Sequence, residues 1–146
     1  MNKLNNRGGF TLIEIMVVIV ILAMLAALVG PKLMGRTDDA KVKTTSIQLK
    51  GIESALKLYK LDNGSYPSTE QGLNALVTKP TVGVIPKSYK EGGYLESKSV
   101  PKDAWGNDYL YVSPGEHGDY DLFSYGADGA KGGESKNADI TNWETK

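Results

Sequence analysis

Glu14 is a carboxylate set inside an apolar run. From Phe10 to Val29 every residue is apolar except Thr11 and Glu14. An ionised carboxylate at membrane depth costs about 3 kcal/mol even on lenient scales, so it needs a partner or an escape. One escape is to lie near the headgroups and snorkel. One partner is suggested by the small pair Gly8-Gly9, which precedes the apolar run instead of following it as in an ordinary secretory signal. Cleavage after Gly9 would spare the helix and create an amine on Phe10. Phe10 and Glu14 are separated by about 6 Å of helical rise. A subunit displaced by about one turn along its neighbour would set its Phe10 amine level with the neighbour's Glu14, and the pair would act as a register device.

A second group of oxygens lies near the carboxyl end. In "YGADGAKGGESKNADITNW", Asp128, Glu134, Ser135, Asn137 and Asp139 alternate with glycines that let the backbone turn inward. Ca2+ takes 6 to 8 oxygen ligands, backbone carbonyls included. The span from Asp128 to Asp139 has the 12 residues of an EF-hand loop, with Gly133 at the sixth position. However, Ala130 and Gly132 occupy positions three and five, and the twelfth residue is Asp, so it is not an EF-hand. On composition, a solvated acidic loop and a cation loop both remain open.

Other catalytic chemistry is poorly represented. There is no cysteine, which excludes a disulfide framework, a thiolate metal site and a cysteine nucleophile. The single histidine, His117, sits in "SPGEHGD" between strand-like runs, where no serine-histidine-carboxylate grouping surrounds it. Lys plus Arg and Asp plus Glu are both 17, so the basic excess of a nucleic-acid binder is absent. No phosphate-binding loop is present in the sequence.

The elements that must position these residues follow from periodicity. About 20 apolar residues of helix cross a hydrocarbon core of roughly 30 Å, and Phe10 to Val29 supplies that length. The short tail with Lys3 and Arg7 has no acidic residue and stays on the cytoplasmic side, which places the rest of the chain outside. Gly30-Pro31 predicts a kink, local melting or the end of the membrane helix. Beyond it, Leu49, Ile52, Leu56 and Tyr59 form one apolar stripe, opposite Lys43, Lys50, Glu53, Lys57 and Lys60 as a solvated face. Asp62-Asn63-Gly64 stops the helix.

Ser68 or Thr69 with Gln71 then predicts a capped short helix over Leu73, Leu76 and Val77. "DYLYVS" and "GDYDLFSYG" predict two antiparallel strands joined by "PGEHG", with Tyr109, Tyr111, Tyr120 and Phe123 as sheet packing. So small a sheet can bury a face only against the long helix. Trp105 and Trp143 are core anchors or subunit contacts. The expected fold class is α+β, with one long helix packed on a small antiparallel β-sheet.

"RGGFTLIEIMVVIVILAMLAALVGP" resembles the class III leader and first helix of type IV pilins and pseudopilins. "YKLDNGSYPSTEQGLNAL", "DAWGNDY", "SPGEHG", "DLFSYGADG" and "ADITNW" resemble the major pseudopilins of the bacterial type II secretion system. The resemblance covers nearly the whole chain and implies a type IV pilin-like fold. It implies residues 1–9 as a cleaved leader, 10–30 as the transmembrane half of the first helix, and 31–146 as a periplasmic globular domain. A prepilin peptidase would cut between Gly9 and Phe10 and methylate the Phe10 amine. Phe10, Glu14 and Pro31 would serve assembly, and the helix would continue past Pro31. One Ca2+ would lie in the C-terminal loop, with carboxylates from Asp128 and Asp139, the Tyr125 and Lys131 carbonyls and Ser135. Ala104 stands where the family usually has proline.

The implied function is that of a non-enzymatic structural subunit, anchored in the inner membrane and polymerising into a periplasmic pseudopilus that helps move folded proteins across the outer membrane. The implied partners are further copies of the chain, the peptidase, minor pseudopilins and an inner-membrane assembly platform. The nearest alternative is a type IV pilin for adhesion or motility; the missing cysteine pair and the acidic glycine-rich loop argue against it.

Overall fold

The stripe of Leu49, Ile52, Leu56 and Tyr59 is buried on one side of α1, a single helix assigned from Leu12 to Asn63. A computed structural model gives these positions; it describes residues 9–144, and for 28–36 the backbone assignment alone. The expected leader lies outside the described residues apart from Gly9. α1 is carried through Gly30-Pro31, so the apolar run does not end the helix there, although proline removes one backbone donor from the ladder. Gly64, at φ 83°, closes the helix, its N–H donating to the Lys60 carbonyl at 2.8 Å.

The chain divides into two compact units, Met1–Thr37 and Asp38–Lys146. In the first, the large apolar side chains from Phe10 to Leu25 are exposed. Among the described residues no helix is long and apolar enough to cross a membrane.

In the second unit, α1 residues pack against a sheet of three short strands in the order β1 (Leu110–Val112), β2 (Asp121–Ser124) and β3 (Ile140–Thr141), all antiparallel. Tyr111 pairs with Leu122 in β1–β2, and Phe123 with Thr141 in β2–β3. The sequence predicts only the first two strands. β3 has two residues, too few for a period-two signal, and its position is set by Asn142. The Asn142 side chain accepts the Leu122 N–H at 2.8 Å while its own N–H groups reach the Tyr120 carbonyl.

The core joins the α1 stripe to Leu73, Leu76, Tyr94, Tyr109, Tyr111, Tyr120 and Leu122. Fully burying each large apolar side chain contributes roughly 2 kcal/mol. Each tyrosine hydroxyl also needs an acceptor. The Tyr109 hydroxyl donates to the Thr45 carbonyl at 3.0 Å and the Tyr111 hydroxyl to the Pro67 carbonyl at 2.7 Å. Leu73–Leu76 forms a 3-10 helix, preceded by the expected Ser68–Gln71 box, in which each side chain takes the other residue's backbone N–H. Thr69 instead donates its hydroxyl to the Ser113 carbonyl.

The face assigned to solvent is only partly so. Lys43, Lys50 and Lys57 are exposed, whereas Glu53 accepts the Tyr120 hydroxyl and Lys60 pairs with Asp119 at 2.8 Å while lying over the Tyr66 ring. The Lys60–Asp119 and Glu53–Tyr120 contacts join residues 59 and 67 apart in the chain, beyond the reach of helical periodicity.

Candidate functional site

At the start of α1 the Thr11 hydroxyl accepts the Glu14 N–H at 3.3 Å, and a Glu14 carboxylate oxygen accepts the Thr11 N–H at 3.4 Å. This is a reciprocal capping box, legible as the T-x-x-E of "TLIE" but missed when the segment is read only as a membrane run. It places the Glu14 charge at the positive end of the helix. Both bonds are long, and a carboxylate has about four lone-pair sites, so Glu14 keeps acceptors for a cation. Phe10 and Glu14 are both exposed. Of Pro31 the structure describes the helical backbone only.

The C-terminal loop returns on itself around its glycines. A Cβ on Gly126 would meet the Lys136 carbonyl oxygen at 2.8 Å, and one on Gly133 would meet the Asn137 carbonyl oxygen at 2.5 Å. With φ 70° and 90°, both positions require glycine. Asp139 accepts the Gly132 N–H with both carboxylate oxygens at 3.0 Å, and Asp128 accepts the Ala130 N–H at 3.1 Å. Ser135, at φ 58°, opens the 3-10 turn Ser135–Asn137 and is exposed, as is Lys131; the half-buried Tyr125 ring packs on Phe123 at 5.2 Å. Lys136 pairs with Asp38 at 3.2 Å.

Among the described residues no group of three or more His, Cys, Asp or Glu side chains could hold a metal ion. Any cation here must therefore draw on carbonyls and hydroxyls besides its two carboxylates. Asp128 and Asp139 each retain lone pairs beyond these bonds, and carboxylate oxygens are the donors a hard cation takes.

The root of this loop is held by a group that sequence reading missed. Asp103, buried, accepts the N–H groups of Trp105 and Asn107 at 3.0 and 2.8 Å with one oxygen and the Ser124 hydroxyl at 2.6 Å with the other. Ser124 Oγ in turn accepts the Gly126 N–H, and the Asn107 side chain donates to the Gly126 carbonyl at 3.2 Å. The available signal is "DAWGN", an aspartate ahead of turn residues. Ala104 donates its N–H to Thr45 Oγ at 3.1 Å, a bond that proline at this position could not make.

The family description "Type II secretion system (T2SS), protein G" matches residues 32–143, and "Prokaryotic N-terminal methylation motif" matches residues 4–30. The chain is 52% identical over 143 residues to the type II secretion system core protein G of Vibrio cholerae serotype O1, covering 98% of this chain and 96% of that one. The chain belongs to the type II secretion system protein G family. The protein G of Pseudomonas aeruginosa is 56% identical over 138 residues, 94% of this chain and 96% of that one. The crystal structure of the major pseudopilin from the type 2 secretion system of enterohaemorrhagic Escherichia coli superposes with a TM-score of 0.66 at 46% identity, covering 77% of this chain and 95% of that one.

This member of the protein G family also closes its hairpin loop with an acid–base pair. His117 Nδ1 lies 2.9 Å from an Asp121 carboxylate oxygen, and Asp121 further accepts the N–H groups of Glu116 and His117. Burial pushes the Asp121 pKa up, but the hydrogen bonds from the His117 ring and the two N–H groups outweigh it and hold the carboxyl below its ordinary value. Among the described residues no serine is bonded to this pair, and the chain has no cysteine. Its role is to hold the loop: a Cβ on Gly115 would meet Asp121 Oδ1 at 2.5 Å, so the loop wraps the carboxylate.

Proposed function

We propose that the chain is the major structural subunit of a type II secretion pseudopilus. The observation that carries this reading is the first unit of the structure. The large apolar side chains from Phe10 to Leu25 are exposed around the helix, and a helix apolar all round belongs in lipid or at the centre of an assembly. Residues 1–9 are the leader, removed by a prepilin peptidase that methylates Phe10. Residues 10–30 cross the inner membrane before assembly, an expectation that rests on the 20-residue apolar run Phe10 to Val29. Residues 31–146 stand in the periplasm.

On assembly, the apolar helices move from lipid to the filament centre, and heterologous contacts between copies extend without closing. Glu14 meets the Phe10 amine of a neighbour, its capping bond to Thr11 keeping the carboxylate aimed at the helix start. Minor pseudopilins and an inner-membrane platform begin and drive the process, and the growing filament moves folded proteins across the outer membrane. The C-terminal loop holds Ca2+ through Asp128, Asp139, Ser135 and the Tyr125 and Lys131 carbonyls, and the bound ion supplies the cross-link that a disulfide provides elsewhere.

Mass spectrometry of the mature amino terminus tests the class: a methylated Phe10 is expected, and an intact Met1 would overturn the reading. Restoration of protein secretion in a strain deleted for its own major pseudopilin distinguishes this subunit from a pilin for adhesion or motility.

A further inference from the structure

Gly51 sits in the middle of α1, where glycine is the poorest helix former apart from proline. Nothing lies within 4 Å of the point where its Cβ would be, so packing inside the chain does not require glycine. Around it Ile47, Ser54, Leu58 and Leu61 are exposed at steps of three and four, an uncharged stripe separate from the buried one. Gly51, Ala55 and Leu58, with Tyr94 and Leu95, line an apolar groove of about 440 Å³. Glu96 is the charged residue among those described along it.

The same unit carries an apolar projection. In "TVGVIP", Thr81 to Pro86, the side chains of Val82, Val84 and Ile85 are exposed, Val84 to 84%. The projection is held in shape from below, since the Gln71 side chain donates to the Val82 carbonyl at 2.8 Å and the Val84 carbonyl at 3.0 Å. Lys79 and Lys87 flank it, both exposed. None of its residues is among those lining the groove.

We propose that the Val82–Ile85 projection of one copy docks in the Gly51 groove of a second copy of this chain. The inference rests on the filament reading above and names one contact within it. Three observations favour a second copy as the occupant. The chain itself carries both an apolar projection and an apolar groove, and neither covers the other internally. The projection is bracketed by lysines while the groove carries Glu96, so the charges match. A contact between two different surfaces of identical chains is heterologous, and its repetition extends a filament without closing it. Gly51 is then explained: any side chain there would occupy the space that Val84 takes.

The chain has no cysteine, so a V84C/L58C double variant can be oxidised in assembled filaments without background. The expected result is a ladder of dimers, trimers and higher species from the double variant, with each single variant remaining monomeric. Gly51→Leu is expected to leave the melting temperature unchanged or raised while reducing filament yield at least tenfold. Filaments that form normally yet give no ladder would overturn the docking and leave the filament reading standing. Dimers from either single variant, or cross-links to a different protein alone, would also overturn it. Absence of filaments from the unsubstituted chain would remove the filament reading and this contact with it.

Discussion

The imidazole of His117 lies flat on the indole of Trp143, with ring centroids 4.1 Å apart and planes 2° apart. His117 belongs to the loop between β1 and β2, and Trp143 follows β3, so the stack joins the hairpin to the C-terminal segment. Phe123 meets the same indole edge-on at 5.6 Å. Offset and edge-on aromatic contacts contribute about 1 kcal/mol beyond burial.

His117→Ala should therefore lower stability by about 1 kcal/mol and change the emission of Trp143, read against Trp105→Phe to remove the other indole. An unchanged spectrum would remove the stack from the account of how the C-terminus is held.

The Asp121 carboxyl, held below its ordinary value in the folded state, gives an acid limb to stability. The sign follows from the direction: a depressed folded pKa stabilises at pH values above the unfolded pKa of about 4, and that contribution is lost as pH falls through the folded value. Urea denaturation between pH 3 and 7, a range set about that pKa, should show a steeper fall at its acid end for the natural chain than for Asp121→Asn.

Glu14→Ala is expected to leave leader cleavage intact and to impair filament assembly. Glu14→Gln separates the two roles of the residue, because glutamine serves a capping box but carries no charge. Filaments from the glutamine variant at the natural yield would leave the capping box, and not charge pairing, as the reason for glutamate.

If Ca2+ binds only the folded domain, ion at 100 times its dissociation constant should stabilise by roughly 2.7 kcal/mol. Thermal unfolding with Ca2+ and with chelator reads this directly, and Asp128→Ala and Asp139→Ala should each abolish the difference. A transition insensitive to both additions would reject the cation.

Asp103→Ala removes the acceptor shared by two backbone N–H groups and the Ser124 hydroxyl. Buried donors left unpaired cost about 1–3 kcal/mol each, so a loss of about 3 kcal/mol or more is expected by chemical denaturation. Ser124→Ala keeps the Trp105 and Asn107 N–H groups on Asp103 but takes the acceptor from the Gly126 N–H, so it should cost about 1–3 kcal/mol, less than Asp103→Ala.

Local periodicity made α1, its buried stripe and the first two strands legible, because Leu49, Ile52, Leu56 and Tyr59 repeat at helical spacing and "DYLYVS" is rich in strand formers. β3 was not legible, since Ile140-Thr141 is ordered by Asn142 reaching back to Leu122 across 20 residues. The same reason hid Lys60 and Glu53, whose partners Asp119 and Tyr120 lie beyond any local window. In the candidate sites, Asp128 and Asp139 were readable as oxygen donors by residue type. Asp103, which secures the root of their loop, looked like one more turn residue. The Thr11–Glu14 box had a clear motif, obscured by the apolar context around it.

Ala104 gives the turn after Asp103 a different kind of restraint from the one a pyrrolidine ring supplies. A ring stiffens a turn whatever the rest of the protein is doing, whereas the Ala104 N–H is protected only while Thr45 on α1 is in place to receive it. Thr45 also receives the Tyr109 hydroxyl, so helix, turn and strand share one point of closure. In native-state hydrogen exchange, the Ala104 amide should open together with the amides of the middle of α1, marking these three segments as one cooperative unit.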